Sequence, residues 1–255
     1  MLEDLGRWFH RFSPVDGNPV RLFCFPHAGG GAATFVRLSR TLAPDVDVLG
    51  VQYPGRQDRL GEDCVRTLPE LAELAGAEIR RLTAGGVPYA LLGHSMGATV
   101  AFEVARLLEA DGPGAGPQAL LVSGRVTPAT PARLGGRLLD DQALLADLRR
   151  LGGTSAAVLD DPRMLRIVLP SLRADYHAVQ RYAYQGDRPA LSCPVTALVG
   201  DSDSRVSVAE AAGWGEYTSG EFACRDFPGG HFFLDDNLGP VADCVRTLLL
   251  GGIRA

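Results

Sequence analysis

The fold is decided by the stretch Tyr89-Ala90-Leu91-Leu92-Gly93-His94-Ser95-Met96-Gly97-Ala98-Thr99-Val100-Ala101-Phe102. The opening apolar run predicts a buried strand, and the residues from Ala98 onward predict a helix. Gly93 and Gly97 flank the serine between them, and glycines keep side chains out of a sharp turn. A hydroxyl at the start of a helix also lies beside backbone N–H groups that stabilise negative charge. The pattern therefore predicts that Ser95 is an exposed nucleophile.

The spacing G-x-S-x-G matches the nucleophile elbow of α/β-hydrolases. Strands are predicted at 20–25, 46–51, 89–92, 119–123, 195–199 and 221–227. Helices are predicted at 35–42, 68–82, 98–110 and 238–250. Alternation of this kind indicates a mostly parallel central sheet flanked by helices. We therefore predict a single α/β-hydrolase domain over residues 1–255.

Residues about 126–190 interrupt this alternation with helical pieces at 140–151, 162–169 and 171–182. Gly152-Gly153-Thr154 and Pro170 separate the pieces, because glycine and proline punctuate helices. The segment falls between Ser95 and the later acid and base, where it can cover the carboxyl ends of the strands. We interpret it as a helical lid, whose apolar residues, Val158 among them, either pack on the core or line an acyl chamber.

Composition excludes several classes of function. The chain has 255 residues, 46% of them hydrophobic, and a net charge of −5 that gives no support for nucleic-acid binding. The five cysteines are scattered without metal-ligand spacing, which favours reduced thiols over a metal site. With no leader pattern and no apolar stretch of membrane-spanning length, we expect a cytoplasmic protein that does not enter a membrane. Nothing indicates a dimer interface, so we expect a monomer.

A serine nucleophile needs a general base and an acid that orients it, and in α/β-hydrolases these follow the serine in the order acid, then histidine. His177 lies within a predicted lid helix and is interpreted as structural or exposed. His231 follows Pro228-Gly229-Gly230, directly after a predicted strand, so it is the predicted base.

Two aspartates compete for the acid, because the strand 195–199 is followed by Gly200-Asp201-Ser202-Asp203. In many α/β-hydrolases the acid lies three residues after the glycine that ends this strand, which favours Asp203. Asp201 would then accept local backbone N–H bonds in the turn. Asp235 and Asp236 are weaker candidates, since helix capping explains at least one of them.

An oxyanion hole needs two N–H donors. Met96, directly after the nucleophile, supplies one, and the loop Pro26-His27-Ala28-Gly29-Gly30-Gly31 supplies the other. We assign the second donor to Ala28, with Gly29 as the alternative. His27 is expected to shape this loop, and His94 to turn its side chain away from the acyl site.

The chain resembles the type II thioesterases that accompany polyketide synthases and nonribosomal peptide synthetases. The resemblance rests on Phe25-Pro26-His27-Ala28-Gly29-Gly30, Gln52-Tyr53-Pro54-Gly55-Arg56, Gly93-His94-Ser95-Met96-Gly97 and Gly229-Gly230-His231-Phe232-Phe233, which occur in this order. The lid residues Pro170-Ser171-Leu172-Arg173-Ala174-Asp175 extend it.

The resemblance implies a stand-alone hydrolase that removes aberrant or stalled acyl groups from the phosphopantetheine arm of acyl or peptidyl carrier proteins. Ser95, His231 and Asp203 would form the triad, and the reaction would pass through an acyl-enzyme without a cofactor or metal. A product-releasing thioesterase, a general serine carboxylesterase and a binding module without catalysis remain alternatives. Candidate contacts for carrier acids or the pantetheine phosphate are Arg149, Arg150, Arg163 and Arg166 in the lid, and Arg56 and Arg59 near the edge of the site.

Overall fold

A twisted sheet of seven strands forms the centre of the computed structural model, in the order β1-β3-β2-β4-β5-β6-β7. The strands are β1 (Phe9–Arg11), β2 (Val20–Phe25), β3 (Val46–Val51), β4 (Tyr89–His94), β5 (Leu120–Ser123), β6 (Val195–Gly200) and β7 (Phe222–Phe227). All neighbours pair in parallel except β1, which runs antiparallel to β3. The structure describes residues 4–17, 19–131, 140–153, 159–186 and 188–251.

Helices flank the sheet on both faces. They are α1 (Val36–Leu42), α2 (Leu68–Thr83), α3 (Met96–Glu109), α4 (Asp141–Leu151), α5 (Pro162–Arg181), α6 (Val208–Ala212), α7 (Phe233–Asp236) and α8 (Leu238–Leu250). One buried cluster lies between the sheet and α2 and α3, and a second lies between the sheet and α1 and α8. Because helices cover both faces, β2, β4 and β5 read as nearly continuous apolar runs. This arrangement confirms the predicted fold class.

The predicted strands and helices outside the lid agree with the structure to within two residues at each end, apart from a helical turn that precedes α1. Strand β1 was not predicted, because three residues are too few for an alternating pattern to stand out. Phe9 nevertheless turns inward and is buried, and its ring packs edge-on against Phe23. The strand adds an antiparallel edge to a sheet that is otherwise parallel.

The predicted break at Pro170 is wrong, since α5 continues through it from Pro162 to Arg181. A proline within a helix removes one backbone hydrogen bond and usually kinks or ends the helix. Here the second half of α5 is held by burial of Leu172, Tyr176 and Val179, so tertiary packing outweighs the local preference. Thr154 and Val158, both assigned to the lid, lie outside the described residues.

Within the described ranges, no helix is both long enough and apolar enough to cross a bilayer.

Candidate active site

Ser95 lies at the turn between β4 and α3 with φ 55° and ψ −117°, a conformation that L-residues rarely adopt. Its N–H donates to Ser123 O over 2.8 Å, which ties the turn to β5. A Cβ on Gly97 would lie 2.1 Å from Phe25 O, and one on Gly93 would lie 2.2 Å from Gly97 O. Only glycine fits at those two positions, so the sequence spacing and the turn geometry have the same steric cause.

His231 lies between Ser95 and Asp203 and contacts both. Its Nε2 is 2.9 Å from Ser95 Oγ, and its Nδ1 is 2.8 Å from Asp203 Oδ2. The side chains of His231 and Asp203 are 3% and 0% exposed, so solvent does not compete for the second bond. The structure thus brings together the three residues that the sequence assigned to a triad.

Asp201 has a different set of contacts. Its Oδ1 accepts a hydrogen bond from Gly229 N–H over 3.0 Å, in the loop that carries His231. Asp203 uses its second oxygen locally, because Oδ1 accepts from Arg205 N–H over 2.7 Å. The arrangement places Asp203 on the histidine and makes Asp201 a tie between the loops after β6 and β7.

The two N–H groups assigned to the oxyanion hole belong to residues that line the cavity next to Ser95. Ala28 and Met96 both line it, together with Ser95 and His231. Within the described part of the chain, neither N–H is bonded to a protein acceptor. The neighbouring candidate, Gly29, is engaged elsewhere, since its N–H donates to Asp175 Oδ2 over 2.7 Å. The geometry therefore favours Ala28 over Gly29 as the available donor.

Two further imidazoles lie close to His231. The His94 ring centroid is 5.1 Å from that of His231, and His94 Nδ1 is 3.0 Å from Ser123 Oγ. Burial, and then the proximity of His231 and His27, holds the pKa of His94 well below its ordinary value. Burial likewise lowers the pKa of His27, whose Nδ1 lies 2.9 Å from Ala28 O. Both rings are neutral at neutral pH, and neither contacts Ser95 Oγ in place of His231.

Residues of the segment Gln52-Tyr53-Pro54-Gly55-Arg56 contact the loop after β2 and the helix α5. Arg56 and Asp175 form a bidentate ion pair, with distances of 2.5 Å for Nη1–Oδ2 and 2.9 Å for Nη2–Oδ1. Burial acts to lower the pKa of Arg56, but the Asp175 carboxylate outweighs it, and the pKa lies above its ordinary value. The interpretation of Arg56 and Arg59 as contacts for carrier acids or the pantetheine phosphate is wrong, because both are buried and paired, Arg56 with Asp175 and Arg59 with Glu62.

The cavity beside Ser95 receives residues from both lid helices. Leu151 of α4 and Tyr176 and Val179 of α5 line it, together with Met96 and Val126. These apolar side chains can contact an acyl group, while Ser95, His231, Arg125 and Arg205 make the rest of the wall polar. Tyr176 also donates from its hydroxyl to Asp147 Oδ2 over 2.9 Å, which ties α5 to α4.

Arg125 also lines this cavity, and sequence reasoning missed it. Its Nε donates to Thr99 Oγ1 over 3.0 Å, in the first turns of α3. Burial lowers the pKa of Arg125 to about 10, so it stays protonated at neutral pH. Its position shortly after β5, at the carboxyl edge of the sheet, was the available signal.

The lid arginines occupy more exposed positions. Arg149 pairs with Asp160 and Arg150 with Asp147, and these arginine side chains are 52% and 51% exposed. Arg163 and Arg166 lie on the exposed face of the first half of α5. His177 is partly buried on α5.

Comparison with known proteins shows the family to which this chain belongs. Residues 20–249 match the thioesterase domain family. The chain is 46% identical to "Thioesterase PikA5" of Streptomyces venezuelae over 97% of its own length and 87% of that protein. It is 38% identical to "Gramicidin S biosynthesis protein GrsT" of Aneurinibacillus migulanus, covering 91% of this chain and 90% of that protein.

The fold is also similar to that of a solved structure. The type II thioesterase BorB from the borrelidin biosynthetic cluster superposes with a TM-score of 0.85 at 41% identity, covering 96% of this chain and 98% of that chain. These matches confirm the resemblance to type II thioesterases. The chain belongs to the thioesterase family, whose members are serine hydrolases that act on thioesters.

Proposed function

We propose that this thioesterase removes aberrant or stalled acyl groups from the phosphopantetheine arm of acyl or peptidyl carrier proteins. One observation carries the proposal: the continuous chain of hydrogen bonds from Ser95 through His231 to Asp203, beside a cavity with apolar side chains on its wall and two available N–H groups. The relatives named above support the setting, since GrsT is a gramicidin S biosynthesis protein and BorB is a type II thioesterase from the borrelidin biosynthetic cluster.

In the first half of the proposed reaction, His231 Nε2 takes the proton of Ser95 Oγ as the oxygen attacks the thioester carbonyl. The N–H groups of Met96 and Ala28 bind the oxyanion of the tetrahedral intermediate. The C–S bond then breaks, and the pantetheine sulfur leaves with the proton held on His231. The product is an acyl ester on Ser95.

In the second half, His231 takes a proton from water as the water oxygen attacks the acyl ester. Collapse of the second intermediate returns that proton to Ser95 Oγ and releases the free acid. Asp203 keeps the useful tautomer of His231 and offsets the charge of the imidazolium. These steps use protein groups and water, without a metal or cofactor.

We also propose that α4 and α5 form a lid that shields the acyl-enzyme. Leu151, Tyr176 and Val179 line the same cavity as Ser95, which supports this role. We place the activity in the cytoplasm, in a single-domain enzyme that works as a monomer. The free cysteines, Cys24, Cys64, Cys193, Cys224 and Cys244, agree with a reducing compartment.

The length of the acyl group that is released fastest distinguishes editing from product release. The test loads one holo carrier protein with either a short acyl group or the full-length chain and measures free-acid release by the wild type and by Ser95→Ala. Editing predicts faster release of the short group, and a loss of roughly three or more orders of magnitude in Ser95→Ala. Faster release of the full-length chain would instead identify a product-releasing enzyme, and equal turnover by Ser95→Ala would refute the nucleophile.

A further inference from the structure

The carboxylate of Asp175 makes an unusual set of contacts for a residue of the lid. It lies on α5, is 0% exposed, and binds groups of the loop after β2 as well as Arg56. Oδ2 accepts from Gly29 N–H over 2.7 Å and from Arg56 Nη1 over 2.5 Å, and Oδ1 accepts from Arg56 Nη2 over 2.9 Å. A charge buried this deeply is tolerated because it is paired and hydrogen-bonded.

A second contact from α5 reaches the same glycine. Leu172 lies one helical turn before Asp175, and a Cβ on Gly29 would lie 2.9 Å from Leu172 Cδ1. Gly29 also has φ +77°, so its conformation and its close approach to α5 both favour glycine. The backbone next to Ala28 is therefore fixed by one polar and one apolar side chain of the same helix.

Arg56 also forms hydrogen bonds that fix the next residues of the loop. Its Nη1 also donates to Gly30 O over 3.2 Å, and its carbonyl accepts from Gln52 Nε2 over 3.0 Å. Gln52 Oε1 in turn accepts from Ala32 N–H over 2.9 Å. The loop is thus bound at Gly29, Gly30 and Ala32.

We propose that Asp175, acting with Arg56, is a positioning residue that sets the orientation of the Ala28 N–H in the oxyanion hole. The inference rests on the proposed function, because it takes Ala28 as the second donor. An oxyanion donor acts through its preorganised position, and a displacement of about 1 Å can cost about a hundredfold in rate. The lid helix then has two roles, since α5 covers the acyl site and also aligns the group that stabilises the transition state.

A positioning role differs from simple structural support in which kinetic constant changes. A misplaced oxyanion donor weakens the transition state more than the bound substrate, so kcat falls while KM changes little. A misplaced donor also weakens the binding of an alkylboronic acid, because the adduct of that acid with Ser95 Oγ is tetrahedral and places an oxygen in the oxyanion hole. Binding of the product acid should change little, because its carboxyl group is planar and does not resemble the tetrahedral intermediate.

The test is Asp175→Asn, measured with a short acyl pantetheine thioester, the boronic acid and the product acid. The matched control is Asp47→Asn, which disrupts another bidentate pair, with Arg11 at 2.9 and 2.7 Å, on the β1 edge of the sheet. We expect a fall of about 10- to 100-fold in kcat and in boronate affinity for Asp175→Asn, with KM within about twofold. Asp47→Asn should retain wild-type kcat.

A double variant keeps the inference falsifiable if Asp175→Asn is unstable. Arg56→Met with Asp175→Leu replaces the pair by apolar side chains of similar size, which often restores stability. Positioning predicts that the stable double variant keeps the low kcat, and recovery of kcat along with stability would overturn it. So would a folded Asp175→Asn with kcat within twofold of wild type. Wild-type turnover by Ser95→Ala would refute the proposed function and this role together, whereas an inactive Ser95→Ala beside an active Asp175→Asn refutes this role alone.

Discussion

Asp203 Oδ2 lies 2.8 Å from His231 Nδ1, whereas Asp201, two residues earlier on the same loop, accepts from Gly229 N–H over 3.0 Å. Both carboxylates thus act on the loop that carries His231, one on the ring and one on the backbone. The residues form a natural matched pair for mutation. A carboxylate on the ring fixes the tautomer of the base, and a carboxylate on the backbone fixes the position of the loop.

Asp203→Asn should therefore lower kcat by about 10³- to 10⁴-fold with little change in KM, because the amide favours the wrong tautomer of His231. Asp201→Asn keeps an oxygen that can accept from Gly229 N–H, so it should lower kcat by at most a few-fold and the free energy of unfolding by less than about 1 kcal/mol, the value of one hydrogen bond. Steady-state kinetics and urea unfolding of both variants check this. A larger kinetic loss in Asp201→Asn would reverse the assignment.

Gly97→Ala should lower the free energy of unfolding by about 3 kcal/mol, because its Cβ would lie 2.1 Å from Phe25 O and the backbone must shift. Gly76→Ala is the control, since Gly76 lies within α2 and a Cβ there meets nothing within 4 Å. It should stabilise by about 0.5 to 1 kcal/mol through helix propensity. Urea unfolding measures both values, and comparable effects in the two variants would contradict the steric argument at the elbow.

His94 should make the protein sensitive to mild acid. Its pKa is depressed by burial in the folded state, while in the unfolded state it lies near about 6.5. Below that pH the unfolded chain binds more protons, so stability that is present above pH 6.5 is lost as the pH falls. His94→Gln should lose about 1 to 2 kcal/mol less than the wild type between pH 7 and pH 5. Identical losses by urea unfolding at the two pH values would show that His94 does not titrate on unfolding.

The exposed arginines of α4 provide a test of carrier recognition. Reversing the charge in Arg149→Glu with Arg150→Glu should raise KM several-fold for an acyl carrier protein and leave KM unchanged for a free pantetheine thioester. Arg80→Glu on α2 is the control, because Arg80 is also partly exposed and also pairs with an aspartate, Asp111. An unchanged KM for the carrier substrate in the α4 variant would remove both arginines from the docking surface.

The sequence predicted the parts of this molecule in which local pattern and global fold agree. The apolar run 89–92 and the glycines of the elbow encode a strand and a turn within a few residues, so Ser95 could be located directly. The spacing from Gly200 favoured Asp203 over Asp201, and the structure agrees, since Asp203 contacts the ring of His231. Sequence alone kept Asp201 as an alternative, because the two carboxylates are two positions apart and their partners, Gly229 and His231, each lie 28 residues further along the chain.

The errors arose where long-range packing overrides local preference. Pro170 predicts a helix end, but buried contacts of Leu172 and Tyr176 hold α5 together. Arg56 was interpreted as a contact for carrier acids or the pantetheine phosphate, because it lies near the predicted edge of the site. Its partner Asp175 is 119 residues away along the chain, and no local pattern indicates that pairing.

The most direct test of the central claim compares one short acyl group presented in two ways. The group is loaded on a holo carrier protein or on a truncated pantetheine thioester at equal concentration, and free-acid release is measured for the wild type and Ser95→Ala. An editing thioesterase that recognises its carrier should release the acid much faster from the protein, and Ser95→Ala should abolish that release. Equal rates from the two substrates would contradict recognition of a carrier and indicate a general thioesterase or esterase.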